Sequence, residues 1–298
     1  MSHGAVSTLR PSQHVVLDYL DLGKLKLSSL VLVTVGAGSL LASAGSPPLW
    51  PLVGVLLGVG LCSMGSAALN MYLECDYDSK MDRTKDRPLP AGRLGADQAL
   101  GFAAAAVSIG LLLLLVLAGW LAASLTVLSI VIYVLVYTPL KRRSSLNTLV
   151  GAVAGALPPV IGWAAVAGEL STGAWILFAV LFVWQLPHSL AIAWLHRDDY
   201  GRAGIRMLSV EDGDLTIRQI FLFSLTLLPV SLLPVSSGLG GTFYFYGAIA
   251  LGLTFLAASL LLFLKRAPAD ARRVFLFSLF HLPMLLALWL TDTILLAS

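Results

Sequence analysis

Charge is what this chain has least of. Only 12% of its 298 residues are Asp, Glu, Lys or Arg, about half the share of an ordinary soluble domain. Such a chain cannot coat a globule with polar side chains. Cysteine is nearly missing as well, and Cys62 and Cys75 make neither a disulfide framework nor a metal-ligand spacing. The formal net charge is only +3, so nothing points to nucleic acid as a partner. No cleavable signal peptide is expected, because the first apolar run is a full span preceded by about 24 residues of mixed polarity. That leader has one Arg and two acids, Asp18 and Asp21, unlike a mitochondrial presequence.

Apolar residues are present in excess, at 58% with a mean hydropathy of +0.88. Nine runs reach the roughly 17–25 residues that cross a bilayer. They fall near 25–44, 49–72, 96–118, 120–139, 147–168, 172–195, 215–235, 243–264 and 273–297. The chain is therefore expected to be an all-α integral membrane protein with nine transmembrane helices. Residues 1–24 form an N-terminal cytoplasmic segment and residues 25–298 one membrane domain.

Cations supply the orientation. If the nine spans alternate, all 19 Lys and Arg residues fall on one side. The connections around Gly45, Gly119, Gly168 and Gly240 carry none. The positive-inside rule then places the N-terminus and the charged connections in the cytoplasm and the C-terminus outside. The setting expected is the cell's inner (plasma) membrane, with the mitochondrial inner membrane as the alternative.

The stretch Asn70–Arg93, NMYLECDYDSKMDRTKDRPLPAGR, stands out. Asn70, Glu74 and Asp78 recur at i, i+4, i+8 and share one face of a helix continued from the second span. Asp78 is expected at the rim, outside any packed core. Lys80, Arg83, Lys85 and Arg87 follow at once. Oxygen ligands beside cations suit a magnesium-bridged diphosphate; a solvated mixed-charge loop is the bland alternative.

Two further clusters belong with it. Asp198 and Asp199 follow the sixth span, at the depth expected for Asp78, and could share magnesium with the first cluster. His188 lies about 10 Å further in if the helix is continuous. An ionisable group inside a span is a functional candidate, against the alternative of a helix-to-helix hydrogen bond; His281 in the ninth span is treated the same way. Lys141, Arg142 and Arg143 form a cationic patch flanked by Tyr137 and Asn147, although topology alone also demands cations there. Pro158, Pro159, Pro187 and Pro283 are expected to kink or open their helices. Together these residues allow ionisation of an allylic diphosphate whose prenyl tail lies between helices.

The motif NxxxExxxD with KMxRTKxRPL resembles the first aspartate-rich motif of the intramembrane prenyltransferases, the UbiA superfamily. YTPLKRRSSLNTLVGAVAGALPPVIGWAA (137–165), WQLPHSLAIAW (184–194) and RDDYGRAGIRML (197–208) are similar to its protoheme IX farnesyltransferase branch. The resemblance runs from about Leu17 to Asp292. It implies a nine-helix prenyltransferase bundle and Mg2+ as cofactor. Farnesyl diphosphate would alkylate the 2-vinyl group of heme b, giving heme O. It also implies heme A synthase and oxidase assembly proteins as partners within the lipid bilayer.

Carried over by residue, Asn70, Glu74, Asp78, Asp198 and Asp199 are the metal ligands implied. Asn70, Asp78, Arg83, Arg87, Lys141, His188 and Asp199 are the catalytic positions. Lys26, Lys85, Tyr137, Arg142, Arg143 and Tyr200 are the remaining substrate-binding ones. The sequence departs from the family at Leu25, where a proline is usual, at Leu190, where Asn is common, and at His188-Ser189, where broader members begin a second acidic motif. Two other readings compete. A prenyltransferase acting on an aromatic quinone precursor would carry an acid-bearing motif where this chain has WQLPH. A secondary transporter would gather its ionisable residues near the midplane, whereas here the acids crowd the cytoplasmic rim.

Overall fold

A computed structural model of the protein describes residues 11–297. Among them, nine helices are long and apolar enough to cross a membrane. We label them α1 (Leu25–Ala42), α2 (Leu49–Asp78), α3 (Ala96–Ala118), α4 (Trp120–Leu140), α5 (Asn147–Ala167), α6 (Thr172–Leu195), α7 (Gly213–Ser236), α8 (Thr242–Lys265) and α9 (Pro268–Leu296). The chain is a multi-pass, all-helical membrane protein. Exposed Trp50, Trp120, Trp175 and Tyr246 sit at the starts of α2, α4, α6 and α8. Alternating spans bring those four starts to one end of the bundle, where they form an aromatic belt. The cationic connections occupy the other end.

Helices α5 and α6 bury 61% and 56% of their most apolar windows, which makes them the centre of the bundle. Helix α5 packs on α1, α4 and α6, and α6 packs on α7 and α9. Close approach depends on small residues. A Cβ at Gly38 would stand 2.0 Å from the Pro159 carbonyl oxygen, and one at Gly162 would stand 2.0 Å from that of Val35. The α1 and α5 backbones therefore touch, and Ser39 Oγ donates to the Gly162 carbonyl at 3.0 Å.

Helix α2 has 30 residues, about 45 Å of rise, and so outruns the roughly 30 Å hydrocarbon layer. Its surplus turns carry Asn70, Glu74 and Asp78. Helix α4 changes to π-helical geometry over Val131–Tyr137. Helices α5, α6 and α9 run on through Pro158, Pro159, Pro187 and Pro283.

The N-terminal segment is helical over part of its length. The helix Pro11–Leu22 packs Tyr19 and Leu22 against Ala68, Met71, Leu89 and Leu94. Asp18 pairs with Arg93 at 2.7 Å. This part of residues 1–24 is docked on the membrane domain, because its apolar face needs cover. Residues 1–10 lie outside the described residues.

Candidate active site

The i, i+4, i+8 ladder on α2 meets three cations from three other parts of the chain. Lys24 Nζ donates to Asn70 Oδ1 at 2.7 Å. Lys141 Nζ donates to Glu74 Oε1 at 2.7 Å, and Arg87 Nη1 to Asp78 Oδ2 at 2.6 Å. Asn70 also donates from Nδ2 to Thr138 Oγ1 at 3.0 Å, which ties α2 to the end of α4. Asn70 and Asp78 are each 1% exposed. The expectation that Asp78 stands at the rim without packing is therefore corrected. The Arg87 segment folds back over it, and Thr84 Oγ1 caps the Asp78 carbonyl at 2.8 Å.

Glu74 and Asp78 line a cavity of about 170 Å³ together with Lys141, Arg142 and Arg143. Lys141 Nζ lies 4.7 Å from the Tyr137 ring centroid, and the Arg142 guanidinium 3.9 Å from that of Tyr77. Burial, with Arg87 and Lys141 nearby, lowers the Lys24 pKa to about 7. Burial opposes the charge on Lys141 too. There Tyr137 and Glu74 outweigh it and hold the pKa above the ordinary lysine value. The site is thus rich in positive charge and short of an anion.

A second layer closes over the first. Arg83 Nη2 donates to Tyr200 Oη at 3.1 Å. Arg202 bridges Asp82, at 2.8 Å, and Asp199. Met81 packs with Ala203, Ile205 and Met207. The connection after α6 is pinned to the one after α4, where Arg206 N donates to the Lys141 carbonyl and Asn147 Nδ2 to the Arg206 carbonyl.

Not every sequence candidate joins this assembly. Asp198 is 87% exposed and its nearest cation is Arg197 at 3.9 Å. Neither it nor Asp199 lines the cavity; on the short helix Arg197–Arg202 Asp199 is the more buried of the two and pairs with Arg202. Lys85 pairs with Asp82 at 2.8 Å, both largely in solvent. Lys26 is exposed, and Lys24 reaches the site instead. Lys24 adopts a left-handed conformation, φ 48° and ψ 52°, in the break between the N-terminal helix and α1, and there its side chain meets Asn70. Its position beside Gly23, ahead of a span, was the available signal.

His188 lies deeper. Its Nδ1 is 2.7 Å from Ser278 Oγ on α9, and its ring stacks on Trp184 with centroids 4.9 Å apart. The helix-to-helix bond is therefore present. His281 is fully buried and neither ring nitrogen has a partner. It packs on Phe255, away from the cavity.

The donor chemistry fits magnesium in one form only. Among the described residues, no three His, Cys, Asp or Glu side chains gather as a self-contained metal cluster. Magnesium needs only one or two carboxylates when phosphate oxygens and water complete its shell. Glu74 and Asp78, lining one cavity with Lys141, Arg142 and Arg143, suit a metal that arrives with a diphosphate.

Comparison with known proteins identifies the family and the fold. Residues 31–284 match the UbiA prenyltransferase family. The chain is 42% identical over 286 residues to a protoheme IX farnesyltransferase of Solibacter usitatus (strain Ellin6076), covering 92% of this chain and 98% of that one. Among solved structures, a digeranylgeranylglyceryl phosphate synthase superposes with a TM-score of 0.79 at 17% identity, covering 94% of this chain and 98% of that one. A UbiA homolog from Archaeoglobus fulgidus bound to GPP and Mg2+ gives a TM-score of 0.62 at 13% identity, with 91% and 99% covered. The chain belongs to the UbiA prenyltransferase family.

Proposed function

We propose that this enzyme transfers the farnesyl group of farnesyl diphosphate to the 2-vinyl group of heme b, forming heme O and releasing diphosphate. The observation that carries the reading is the convergence of Lys24, Lys141 and Arg87 on Asn70, Glu74 and Asp78. It occurs in a chain 42% identical to a protein named for that reaction. The charged connections face the cytoplasm and the membrane is the cell's inner membrane. Heme A synthase and oxidase assembly proteins are the partners this activity implies.

The chemistry follows from the charges. The diphosphate enters between the α2 acids and the cations, and Lys24, Arg87, Lys141, Arg142 and Arg143 turn toward its oxygens with charge-assisted hydrogen bonds. Magnesium, when bound with the diphosphate, neutralises the negative charge that grows on the leaving group. The C1–O bond breaks with its electron pair passing to diphosphate, and the fixed cations stabilise that charge without reorganising. Farnesyl C1 bonds to the terminal vinyl carbon of heme. Water adds to the adjacent carbon and loses a proton, leaving the hydroxyethylfarnesyl side chain. Arg83, Tyr200, Asp199 and Arg202 form the cap that keeps other water out. His188, oriented by Ser278, stands at the acceptor's depth, with Nε2 the nitrogen left to meet heme.

The test is direct. Purified protein is incubated with heme b, farnesyl diphosphate and Mg2+, and the heme product is identified by mass. Conversion to heme O is expected. Unmodified heme, together with prenylation of an added aromatic quinone precursor, would move the enzyme to the other branch.

A further inference from the structure

Gln185 on α6 reaches across to α5, and one bond orients its amide. Nε2 donates to the Ala152 carbonyl at 2.7 Å. A carbonyl can only accept, so this bond fixes the other end of the amide, Oε1, as an acceptor. Among the described residues none donates to it. Oε1 lies against Gly155, where a Cβ would stand 2.2 Å from it, so only glycine leaves that oxygen its place. Gly155 is exposed and Gln185 half-buried, although α5 and α6 are the most buried helices of the bundle. Both therefore reach an opening in the packing.

A second acceptor stands at the same spot. Pro158 and Pro159 lie inside α5 and bring no N–H, so the carbonyls of Ala154 and Gly155 lose the donors a regular helix would give them. Ser129 Oγ on α4 donates to the Ala154 carbonyl at 3.3 Å. No side chain of the described residues does so for Gly155. The Gly155 carbonyl and Gln185 Oε1 are thus two acceptors side by side at membrane depth, where an acceptor left alone is costly. Water has the two donors that match them, and a water held through both hydrogens turns its lone pairs outward.

We infer that Gln185 Oε1 and the Gly155 carbonyl hold the water that hydrates the prenylated vinyl group. The inference rests on the functional reading above and assigns its last step. The depth agrees. A Cβ at Gly151 would stand 2.8 Å from Tyr137 Cε2, so Gly151 is level with the ring one turn inward of Lys141, and Gly155 lies one turn deeper still. A diphosphate at Lys141 brings its C1 to the level of Tyr137. The carbon that takes water is two bonds beyond C1 and is attacked from about 3–3.5 Å, so the water stands about one helical turn, about 5–6 Å, from C1. Once C1 has bonded to the terminal vinyl carbon, the adjacent carbon carries the positive charge. A lone pair of the held water forms the C–O bond there. One O–H bond then breaks with its electrons staying on oxygen, and the proton passes to His188 Nε2, one turn nearer the rim. That nitrogen has the lone pair to take it. Ser278 Oγ commits its hydrogen to the Phe275 carbonyl at 2.6 Å and so accepts from His188 Nδ1–H.

The test compares the parent with Gln185→Leu and with Gly155→Ala, whose added methyl displaces Oε1. Each protein is incubated with heme b, farnesyl diphosphate and Mg2+. Diphosphate release is measured and the heme products are identified by mass. A cation that takes no water loses a proton from the neighbouring carbon, leaving a farnesylated heme lighter than heme O by one water. The ratio of heme O to this lighter product is expected to fall at least about tenfold in Gln185→Leu and in the same direction in Gly155→Ala. Diphosphate release should stay within about threefold of the parent. A side chain that only fastened α6 to α5 would lower both products together and leave their ratio alone. An unchanged ratio in either variant overturns the inference. If Gln185→Leu does not fold, Gln185→Met is scored in its place. A parent that releases diphosphate but leaves heme unmodified refutes the acceptor instead. The prenyl product then scores the water site: alcohol is expected from the parent and hydrocarbon from the variants, and the same product from all three overturns it.

Discussion

Asp78 Oδ2 accepts a 2.6 Å hydrogen bond from Arg87 Nη1 across nine residues of chain, and the Asp78 side chain is 1% exposed while that of Arg87 is 26% exposed. The acid that looks in sequence like a rim ligand is thus already neutralised by one of the cations meant for the substrate. The same holds for Glu74 with Lys141. Glu74 and Asp78 would hold a magnesium ion arriving with a diphosphate only by giving up these cations, which would then be free for the phosphate oxygens.

Asp78→Ala should abolish farnesyl transfer and also lower stability. It leaves the Arg87 guanidinium without its partner over a closed pocket, a loss of about 1–3 kcal/mol. Asp78→Asn, which keeps volume and a hydrogen-bond acceptor, should lose activity equally with a smaller loss of stability. Turnover near the parent level in Asp78→Asn would remove this residue from the mechanism.

Arg87 and Lys85 should separate sharply. Arg87→Gln removes a charge-assisted bond inside the site and is expected to weaken farnesyl diphosphate binding by about 1.5–3 kcal/mol. Lys85→Gln breaks only a solvent-screened pair with Asp82, and affinity should stay within about threefold. Calorimetric Kd values for both variants decide the matter, and equal losses would contradict the placement of Lys85.

The pH dependence of binding should carry the signature of Lys24. Its pKa near 7 in the free protein means that the ammonium is present below pH 7 and lost above it. A bound anion raises that pKa. Affinity for farnesyl diphosphate should therefore fall as pH rises from 7, by up to about tenfold per unit until the bound-state pKa is passed. In Lys24→Arg the charge does not titrate, so the profile should flatten over pH 7–9. Identical slopes in the two proteins would show that Lys24 does not meet the diphosphate.

Two variants test His188. The His188 Nδ1–Ser278 Oγ bond predicts that His188→Ala and Ser278→Ala both reduce stability, and that the double variant loses less than the sum of the two. Only His188→Ala should also change heme affinity and the heme spectrum, with farnesyl diphosphate binding retained. Unaltered heme titration in His188→Ala would reduce the residue to a helix fastener.

A reporter fused after Ser298 should read extracytoplasmic, and one inserted near Gly92 cytoplasmic. Both on the same side would overturn nine alternating spans.

The nine spans were legible because hydropathy is a local property. Each run must satisfy its own backbone hydrogen bonds in lipid whatever its neighbours do, so composition over some twenty residues decides the helix. The ladder Asn70, Glu74, Asp78 was legible for the same reason, since helical periodicity alone aligns it.

Partner choice lay beyond the sequence. Lys24 and Asn70 are 46 residues apart, and Lys141 and Glu74 are 67 apart. Which of several nearby cations meets which acid depends on how α1 is seated against α5 at Gly38 and Gly162, and on the backbone break at Lys24. A difference of two positions moves a lysine from a bond with Asn70 to solvent, as Lys24 and Lys26 demonstrate. Hydrophobicity and helical periodicity, written into each segment, determined the spans and the first motif. Only tertiary packing decided that Lys24, Lys141 and Arg87 each close on one ligand, because ion pairs act over a few ångströms and the helix contacts set those distances.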